Sequence, residues 1–368
     1  MLPDSRGQLV VFLSEHKGVN ALPAVISIFD TTAVERLRRS LRLDPERVRV
    51  LRNRLLKKFE SDDDGLLGFP GRDQLQLHVL EQFRRVDSSI DGASKLLLKT
   101  ATGMLIEAVI LRIASGRTTL CVSSQVGCAA SCEFCATGKM GIAQNLSSAE
   151  ILDQVLQVGQ LLAREERRLD NIVFMGMGEP FHNEDNLNDA LTVLTSPQLF
   201  ARSPKSILVS TVGVPDAMVR CAERFPSVNL ALSLHSVKAE TRLKLIPLTQ
   251  RHSLGDLRHA IREINRVQQH ELMIEYLMLA GQNDSIDDAD DLIRWLDGVN
   301  VHVNLIPYNP IEDAPHLLGS DRDTIDRFAV QLKGSGLKTT IRYSLGNDIA
   351  AACGQLVQKE NRKRNGVH

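Results

Sequence analysis

Cys128-Ala-Ala-Ser-Cys132-Glu-Phe-Cys135 decides how this chain is interpreted, because it holds three cysteines spaced C-x3-C-x2-C. Three thiolates can hold three corners of a [4Fe–4S] cube and leave the fourth iron without a protein ligand, and an open metal position is where chemistry takes place. The alternative is a structural zinc site with Cys121 as the fourth thiolate. Zinc sites more often use paired C-x2-C knuckles, and no second knuckle follows. The spacing therefore favours a cluster with one open iron.

The composition favours a cytoplasmic protein of one large and one small domain. Its 368 residues carry 44 basic and 45 acidic side chains, so any RNA contact has to come from local patches. Six cysteines without a disulfide-like pattern indicate a reducing compartment. Cys221, in a helix-like segment, is predicted to be a buried structural cysteine. The N-terminus shows no signal peptide and no apolar run approaches ~18 residues, so we expect no membrane span.

The first ninety residues are predicted to be helical and basic. Ten Arg or Lys residues and four acidic residues stand between Glu35 and Glu60. Such a run is usually a solvated helix face, and the functional alternative is a surface that contacts phosphates. The acidic cluster at residues 62–65 is predicted to end the run as a loop. A second basic segment, residues 359–364, could also serve RNA, although such tails are often only solubilising.

A β-hairpin and then alternating strands and helices make up the rest of the chain. The hairpin pairs residues 95–99 with 104–111 across a turn at 101–103. Later strands are predicted at residues 119–122, 171–174, 207–209, 228–234, 272–279, 301–306 and 339–343. Helical stretches lie between them, such as 150–168, which opens with the capping box Ser147-Ser-Ala-Glu150. This alternation predicts a helix-covered parallel sheet, either an open doubly wound sheet or a partial (β/α) barrel.

Polar residues stand where several predicted strands end, and this favours the partial barrel, which gathers its active site there. Met175-Gly-Met-Gly-Glu-Pro180 follows one strand. Its glycines allow a ligand to approach the backbone closely, and Glu179 can accept hydrogen bonds from an ammonium group. Ser210, Ser233, His235 and Asn309 stand at other strand ends. Each alone is more often a cap or a loop hydrogen bond, but together they indicate the rim of a cofactor site.

Several short motifs follow one another between about Ser94 and Leu356. They are Cys121-Val-Ser-Ser-Gln-Val-Gly-Cys128, Cys135-Ala-Thr-Gly138, Gly178-Glu-Pro180, Ser233-Leu-His235, Asn304-Leu-Ile-Pro-Tyr-Asn-Pro310 and Ala351-Ala-Cys-Gly-Gln-Leu356. Together these motifs resemble the RlmN/Cfr family of radical S-adenosylmethionine RNA methyltransferases. The resemblance implies an α/β fold, a partial (β/α)6-type radical SAM barrel with a small helical N-terminal domain and a β-hairpin extension.

The chain is expected to divide into four parts. Residues 1–90, which precede the resemblance and lack the aromatic-rich helical pattern of the RlmN branch, are expected from their composition to form a basic helical domain that binds RNA. Residues 91–113 are expected to form the hairpin extension. Residues 114–349 form the barrel, and residues 350–368 carry the methyl-bearing cysteine and the basic tail.

By this resemblance the substrate is an adenosine of 23S ribosomal RNA, and for some members also of tRNA, methylated at ring carbon 2 or 8. Such a carbon is not nucleophilic, so a radical is needed. In the family, Cys353 takes a methyl group from one S-adenosylmethionine. A second molecule, reduced by the cluster on Cys128, Cys132 and Cys135, yields a 5′-deoxyadenosyl radical that removes hydrogen from this methyl group. The carbon radical adds to adenine, and Cys121 resolves the adduct through a transient disulfide with Cys353.

The resemblance assigns further residues and partners. Glu107 matches the family's proton-accepting glutamate, although it could equally be an outward polar residue of an alternating strand. The cofactor-binding residues implied are Gly178, Glu179, Ser210, Ser233, Leu234, His235 and Asn309. Two S-adenosylmethionine molecules per turnover, RNA and an electron donor such as flavodoxin are the implied partners.

The motifs leave the branch of the family open. Residues 138–146 depart from the RlmN form and residues 199–204 look closer to Cfr, whereas Pro180 and Pro307 fit RlmN better. The methylated carbon is therefore not decided. Two other functions stay open: a radical enzyme acting on a protein or small molecule, which would not need Cys121 and Cys353, and a non-catalytic zinc-stapled RNA-binding module.

Overall fold

The computed structural model describes residues 25–141, 143–268, 270–356 and 361. The predictions for residues 1–24 and for the basic tail at 359–364, apart from Asn361, lie outside the described residues. None of the helices in the described ranges is both long and apolar enough to cross a lipid bilayer.

The N-terminal part of the described chain contains three α-helices and two short strands. In chain order these are β1 (Ile26–Ser27), α1 (Thr31–Ser40), α2 (Pro45–Arg52), α3 (Asp62–Leu66) and β2 (Leu75–Gln76), with a π-helical turn at Asn53–Lys57 after α2. Asp30 and Asp44 cap α1 and α2 by accepting a hydrogen bond from a backbone N–H of the first turn. β1 and β2 pair in parallel. The helical character predicted for this region is confirmed over α1 and α2.

The acidic cluster at residues 62–65 belongs to α3, so the loop predicted there is wrong. Ser61 caps this helix by accepting a hydrogen bond from the N–H of Asp64 (3.2 Å). Asp62 and Asp63 lie in the first turn, where carboxylates interact favourably with the positive end of the helix dipole. The acidic segment is helical because it directly follows the N-cap Ser61, although its composition is typical of a loop.

Three antiparallel strands follow, β3 (Glu81–Asp87), β4 (Ala93–Lys99) and β5 (Leu105–Arg112). β4 and β5 confirm the predicted hairpin. β3 pairs with β4 and lies within the first ninety residues, so the helical prediction is wrong for this stretch. Most of β3 is exposed at the edge of the sheet, and an edge strand needs no apolar face that would make it visible in the sequence. The antiparallel part thus begins before the predicted boundary at residue 91.

The rest of the chain alternates strands and helices. The elements are β6 (Thr118–Cys121), β7 (Gln125–Gly127), β8 (Ala143–Asn145), α4 (Ser148–Arg164), β9 (Asn171–Phe174), α5 (Glu184–Thr195), β10 (Ile207–Thr211), α6 (Pro215–Arg224), β11 (Asn229–Ser233), α7 (Ala239–Leu245), α8 (Leu254–Val267), β12 (Leu272–Met278), α9 (Ile286–Leu296), β13 (Val301–Pro307), α10 (Arg322–Gly334) and β14 (Lys338–Ile341). The capping box at Ser147 and Glu150 opens α4 as predicted, and all seven predicted strands are present.

One ten-stranded sheet organises the described chain, in the order β14-β13-β12-β11-β10-β9-β6-β5-β4-β3. The strands from β14 to β6 run parallel, and β5, β4 and β3 extend the sheet in antiparallel fashion. Helical connections link the successive parallel strands. Residues of β5, β6 and β9 to β14 line one shared cavity of about 630 Å³, so this part of the sheet curves around an interior. This is the predicted partial barrel, open between its two edge strands.

The main apolar core lies between the sheet and its helices. Fully buried members include Leu156, Leu191, Ile261, Leu292 and Phe328 on helices, packed in one cluster with the strand residues Ile274 and Val303. Burial of this apolar surface holds the strands in register, which fixes where each strand ends. Cys221 on α6 is 1% exposed within this core, as predicted.

Candidate active site at the strand ends

The three clustered cysteines lie on the loop between β7 and β8. Cys132 is 4% exposed, and Cys128 and Cys135 are half-buried. The N–H of Cys135 donates to the carbonyl of Cys132 (3.2 Å), which curls the loop. Burial raises the pKa of Cys128 to about 12 and raises the pKa of Cys132 and Cys135, and charge on Cys128 and Cys135 raises the pKa of Cys132 further. The three thiols therefore form one electrostatically coupled group.

Backbone N–H groups of the loop are available to sulfur. Those of Ala130 and Ser131 are directed at Cys128, and those of Thr137 and Gly138 at Cys135, and each lowers the pKa of its thiol against the effect of burial. Thiolate ligands of iron–sulfur clusters accept N–H hydrogen bonds of this kind. By their chemistry, the three thiols and their backbone N–H groups are therefore of the kind that a cluster bound through three thiolates uses.

Glu179 follows β9 and is held rigidly. Its Oε1 accepts a hydrogen bond from the N–H of Phe181 (3.0 Å), and its Oε2 accepts one from the N–H of Val212 (2.8 Å). The side chain is 2% exposed, and burial raises its pKa although these hydrogen bonds lower it. A carboxylate oriented in this way beside a cavity can receive the ammonium group of a ligand.

A second cavity, which we call the cofactor cavity, gathers most of the residues predicted to bind the cofactor. Its lining includes Gly178, Glu179, Ser210, Ser233 and His235, together with Cys135 of the cysteine loop. Two predicted members are not part of this lining. Leu234 is fully buried, and Asn309 donates to Ser344 Oγ (2.9 Å) and to the carbonyl of Cys353 (3.1 Å). Asn309 therefore positions the segment that carries Cys353.

His235 contacts the cysteine loop from the cofactor side. Its Nδ1 accepts a hydrogen bond from the N–H of Leu277 (3.1 Å), and its ring meets that of Phe134 edge-on, with centroids 4.7 Å apart. Burial, together with the charge of Arg242, lowers the pKa of His235 to about 3, although a backbone hydrogen bond with Glu275 raises it. The lowered pKa leaves the imidazole neutral at pH 7.

The segment around Cys353 is attached to the cysteine loop. The N–H of Ala136 donates to the carbonyl of Gly354 (2.8 Å), and Thr137 Oγ1 donates to the carbonyl of Leu356 (2.6 Å). Cys353 is accessible to solvent and lines both the cofactor cavity and the larger barrel interior. The fold therefore brings Cys353 to the three clustered cysteines, although it lies far from them in the sequence.

Cys121 and Cys353 line the same barrel interior, where they interact electrostatically with each other and with Arg342. Cys121 is buried, and desolvation raises its pKa to about 12. Part of the Cys353 surface is open to solvent, but the surrounding protein still desolvates its thiol and raises its pKa to about 11. The positive charge of Arg342 opposes both shifts. The Nη1 of Arg342 lies 3.6 Å from Glu275 Oε1 and donates to Met175 Sδ (3.4 Å). Cys121 is thus associated with Cys353 and not with the clustered thiols.

Glu107 is fully buried on β5, with its Oε1 3.5 Å from Lys95 Nζ on β4. Lys95 also donates to the carbonyl of Ala350 (3.1 Å), just before Cys353. Residue 109 pairs with Cys121, so Glu107 points to the same side of the sheet as that cysteine. Glu107 lines neither cavity in the described part of the chain, but it is linked through Lys95 to the Cys353 segment.

Three charged residues at this site were not predicted. They are Glu275 on β12, Arg342 directly after β14, and Arg242 on α7. Glu275 and Arg342 could have been noticed in the sequence, because each is a single charged residue inside an apolar predicted strand, at residues 272–279 and 339–343. A lone charge of this kind indicates a paired interior position, but the sequence does not identify its partner.

Comparisons with known proteins give the family. Residues 122–296 match the radical SAM superfamily. A probable RNA methyltransferase of Rhodopirellula baltica is 62% identical over 346 residues, which are 94% of this chain and 91% of that protein. A probable dual-specificity RNA methyltransferase RlmN of Thermus thermophilus is 41% identical over 282 residues, which are 76% of this chain and 79% of the relative.

The fold has a solved counterpart. The crystal structure of a radical SAM methyltransferase from Sphaerobacter thermophilus matches with a TM-score of 0.84 at 35% identity, and the match covers 90% of this chain and 99% of that one. Sequence identity across nearly the whole chain and agreement in fold lead to the same assignment. The chain belongs to the RlmN/Cfr family of radical S-adenosylmethionine RNA methyltransferases.

Proposed function

We propose that this enzyme methylates carbon 2 or carbon 8 of an adenosine in RNA, with 23S ribosomal RNA as the expected substrate, through a methyl group carried on Cys353. The observation that carries the proposal is the meeting of Cys121, Cys353 and Arg342 in one cavity that adjoins the cofactor cavity. A radical enzyme without a cysteine-borne intermediate has no need for two thiols at this place.

As a radical SAM enzyme, the protein uses a [4Fe–4S] cluster and S-adenosylmethionine. Cys128, Cys132 and Cys135 are the proposed ligands of the cluster. Glu179 and the serine and histidine side chains of the cofactor cavity are proposed to hold S-adenosylmethionine. When bound, the two groups supply the radical that the reaction needs, because an adenine ring carbon bearing hydrogen is not a nucleophile.

Cys353 is proposed to act as a nucleophile toward a methyl group and then to hold it as a thioether. A thiolate is the reactive form of cysteine, and Arg342 favours that form by opposing the desolvation that raises the Cys353 pKa. Cys121 is proposed to release the RNA by forming a disulfide with Cys353. Both sulfurs interact with the same guanidinium, which supports their approach to each other.

Glu107 is proposed to accept the proton that leaves the adenine carbon. Its burial next to Lys95 supports this role, because the ammonium group compensates the charge of a carboxylate that would otherwise be costly to bury. The contact of Lys95 with the Ala350 carbonyl ties this pair to the segment that carries Cys353.

RNA contact is proposed for the basic helices α1 and α2. Part of their positive charge is neutralised within the helices, since Glu35 pairs with Arg38 and Arg39, and Glu46 pairs with Arg49. The side chains proposed to contact phosphates are therefore Arg36, Arg47 and their exposed neighbours. A cytoplasmic location and a low-potential electron donor such as flavodoxin are part of the same proposal.

Mass spectrometry of nucleosides tests the proposal. RNA from cells that lack the protein is compared with RNA from the same cells supplied with the wild type or with single variants. We expect 2-methyladenosine or 8-methyladenosine with the wild type and its loss with Cys353→Ala. Cys221→Ala is the matched control, because Cys221 lies in the core of α6, and it should retain methylation.

Absorbance of the purified variants completes the test. Cys353→Ala should keep the iron–sulfur absorbance of the wild type after anaerobic reconstitution, whereas Cys132→Ala should lose it. Full RNA methylation by Cys353→Ala would refute the methyl-cysteine route. A colourless wild type that binds zinc and never cleaves S-adenosylmethionine would refute the enzyme assignment itself.

A further inference from the structure

Arg242 is a buried arginine behind the cofactor cavity. It lies on α7 and is 1% exposed. Its Nη1 donates to Thr249 Oγ1 (2.7 Å), and its Nη2 donates to the carbonyls of Val212 (2.6 Å) and Ser233 (3.4 Å). The Nε is buried without a hydrogen-bond partner among the described residues. All the acceptors that Arg242 has there are neutral, although guanidinium groups at buried sites normally face carboxylates or phosphates.

The charge of Arg242 is therefore uncompensated by acidic residues. Within the described ranges its hydrogen-bond acceptors are a hydroxyl and two carbonyls, and no aspartate or glutamate acts on its pKa. Burial lowers the pKa of Arg242 to about 10, and the one interaction that raises it comes from Cys132. A buried charge is costly unless an opposite charge accompanies it. Cys132 is neutral as a thiol and carries a charge only as a thiolate, that is, as a metal ligand.

The helix that carries Arg242 also contacts the cysteine loop. The N–H of Glu133 donates to the carbonyl of Leu245 at the end of α7 (2.9 Å). Cys132 packs with Leu245 and Ile246 in a small apolar cluster. This surrounding excludes water, so the attraction between Arg242 and a charge at Cys132 is screened only weakly.

We infer that Arg242 is the internal counter-cation of the cluster and that it raises the cluster's reduction potential. The inference depends on the proposed ligation by Cys128, Cys132 and Cys135. A [4Fe–4S]2+ core with three thiolates carries one net negative charge, and one electron from an external low-potential donor increases it to two. A fixed positive charge nearby favours the more negative, reduced state. Net charge and hydrogen bonding around the sulfurs are what set such potentials.

A purely structural role is the competing explanation. Arg242 binds Val212, whose N–H holds Glu179, and it binds the last residue of β11. Its loss could therefore loosen the cofactor cavity without any effect of charge. The two explanations differ in what lysine would do, because lysine keeps the positive charge and loses the forked hydrogen bonds.

The test compares Arg242→Gln, Arg242→Lys and the wild type after anaerobic reconstitution with iron and sulfide. Arg202→Gln is the matched control, since Arg202 also donates to main-chain carbonyls, those of Leu169 and Asp170, at the other end of the sheet. A redox titration followed by electron paramagnetic resonance, without S-adenosylmethionine, gives the midpoint potential of each protein. Folding is checked by circular dichroism, and iron content is measured for each sample.

We expect the ratio of reduced to oxidised cluster in Arg242→Gln to fall about tenfold at a fixed solution potential, which corresponds to a shift of about −59 mV for one electron. Arg242→Lys should recover most of this shift, and Arg202→Gln should match the wild type. If Arg242→Gln fails to fold, Arg242→Met takes its place. Failure of a folded uncharged variant to retain iron that Arg242→Lys retains would also support the inference.

Two results would overturn it. One is an iron-loaded uncharged variant with the wild-type potential. The other is an equal defect in Arg242→Gln and Arg242→Lys, in potential or in iron content, because lysine keeps the charge. A wild type that assembles no cluster would instead contradict the proposed function, so the two failures are distinguishable.

Discussion

At the scale of single residues, the site is organised by charges that face sulfur. Arg342 interacts with Cys121, Cys353 and Glu275, and Arg242 interacts with Cys132. In both places a guanidinium lies next to thiols whose ionised form burial disfavours. Arg242, which is buried, is the cation inferred for the clustered thiols, and Arg342, which is partly exposed, is the cation for the thiols proposed to handle the methyl group.

Replacement of Arg342 by methionine should slow methylation of Cys353. The variant loses the positive charge that opposes the raised pKa of Cys353, so less thiolate forms at neutral pH. We expect a loss of about tenfold or more, as for removal of a preorganised charge or donor from an active site. Mass spectrometry of the protein at timed intervals after addition of S-adenosylmethionine, with RNA left out, measures the methylated fraction of Cys353.

Arg342→Lys provides the control for this prediction. It keeps the charge and should recover part of the rate. Iron content and cluster absorbance should be unchanged in both variants, since Arg342 faces Cys121 and Cys353. A wild-type rate of Cys353 methylation in Arg342→Met would contradict the role given to this residue.

The sequence predicted the cysteines and missed the arginines for a physical reason. Three thiols in one short loop lie close together in the chain, so their spacing predicts a shared metal site and favours an iron–sulfur cluster over zinc. Arg242 meets Cys132, and Arg342 meets Cys121, only through the fold, because the partners lie far apart in the chain. Asn309 shows the same limit, because its hydrogen bond to the Cys353 carbonyl joins residues that lie far apart in the sequence.

At the scale of elements, the loop after β9 depends on a close approach between two backbones. Gly178 has a φ of +105°, and a Cβ at this position would lie 2.7 Å from Gln125 Cβ. Gln125 in turn accepts a hydrogen bond from the N–H of Glu179 (2.8 Å). The glycine therefore lets β7 pack against the loop that carries the carboxylate of the cofactor cavity.

Gly178→Ala should destabilise the protein by about 1–3 kcal/mol, because it combines a clash with an unfavourable backbone conformation. Gly281→Ala is a matched control, since Gly281 has a φ of +68° and a Cβ added there would meet no described atom within 4 Å. Urea unfolding measures both variants. Equal free energies of unfolding in the two variants would show that the contact with Gln125 does not matter.

A second link joins the segment after β2 to α4. Asp153 is fully buried and accepts hydrogen bonds from the N–H groups of Val79 and Leu80 (2.8 Å each) and from His78 Nδ1 at 2.6 Å. Burial lowers the pKa of His78, but hydrogen bonding and the charges of Asp153 and Asp62 outweigh it and raise the pKa above 6.5.

The His78 link should make stability depend on pH. Because the folded-state pKa is raised, protonated His78 contributes its full stabilisation below about pH 6.5, and this is lost as the pH rises through the folded-state pKa. We expect the free energy of unfolding to fall as the pH rises above about 6.5, and this fall to be smaller in His78→Gln. Identical pH profiles for the two proteins, measured by urea unfolding, would count against the link.

Buried elements were predicted well and exposed ones poorly. The parallel strands are apolar runs because helices cover them. The polar residues after these runs allowed the C-terminal ends of the strands to be predicted. β3 and α3 were missed because they lie at the surface. An edge strand with Arg84 and Arg85 lacks an apolar face, and α3 depends on the Ser61 cap more than on its composition.

At the scale of the whole molecule, the cysteine loop is shared by two parts of the chain. It packs on α7 through Glu133 and holds the C-terminal segment through Ala136 and Thr137. A cluster bound by this loop would tie these parts together and stabilise the native state relative to the unfolded chain. A ligand at about a hundred times its Kd contributes about 2.7 kcal/mol in this way.

Anaerobic reconstitution with iron and sulfide should therefore raise the thermal unfolding temperature, and removal of iron by a chelator should reverse the rise. The triple variant Cys128→Ala, Cys132→Ala, Cys135→Ala should show no rise, whereas Cys353→Ala should behave like the wild type. Differential scanning fluorimetry measures all samples. A rise of equal size in the triple variant would place the iron elsewhere.

The attachment of the Gly354 and Leu356 carbonyls to the cysteine loop has a mechanical consequence. The sulfur proposed to bear the methyl group is therefore held in place by the same loop that carries the proposed iron ligands. If oxygen removed the iron and the cysteine loop became disordered, the segment that carries Cys353 would lose its attachment at the same time. Oxidative damage would then inactivate radical formation and methyl transfer together, and no partly active enzyme would remain bound to RNA.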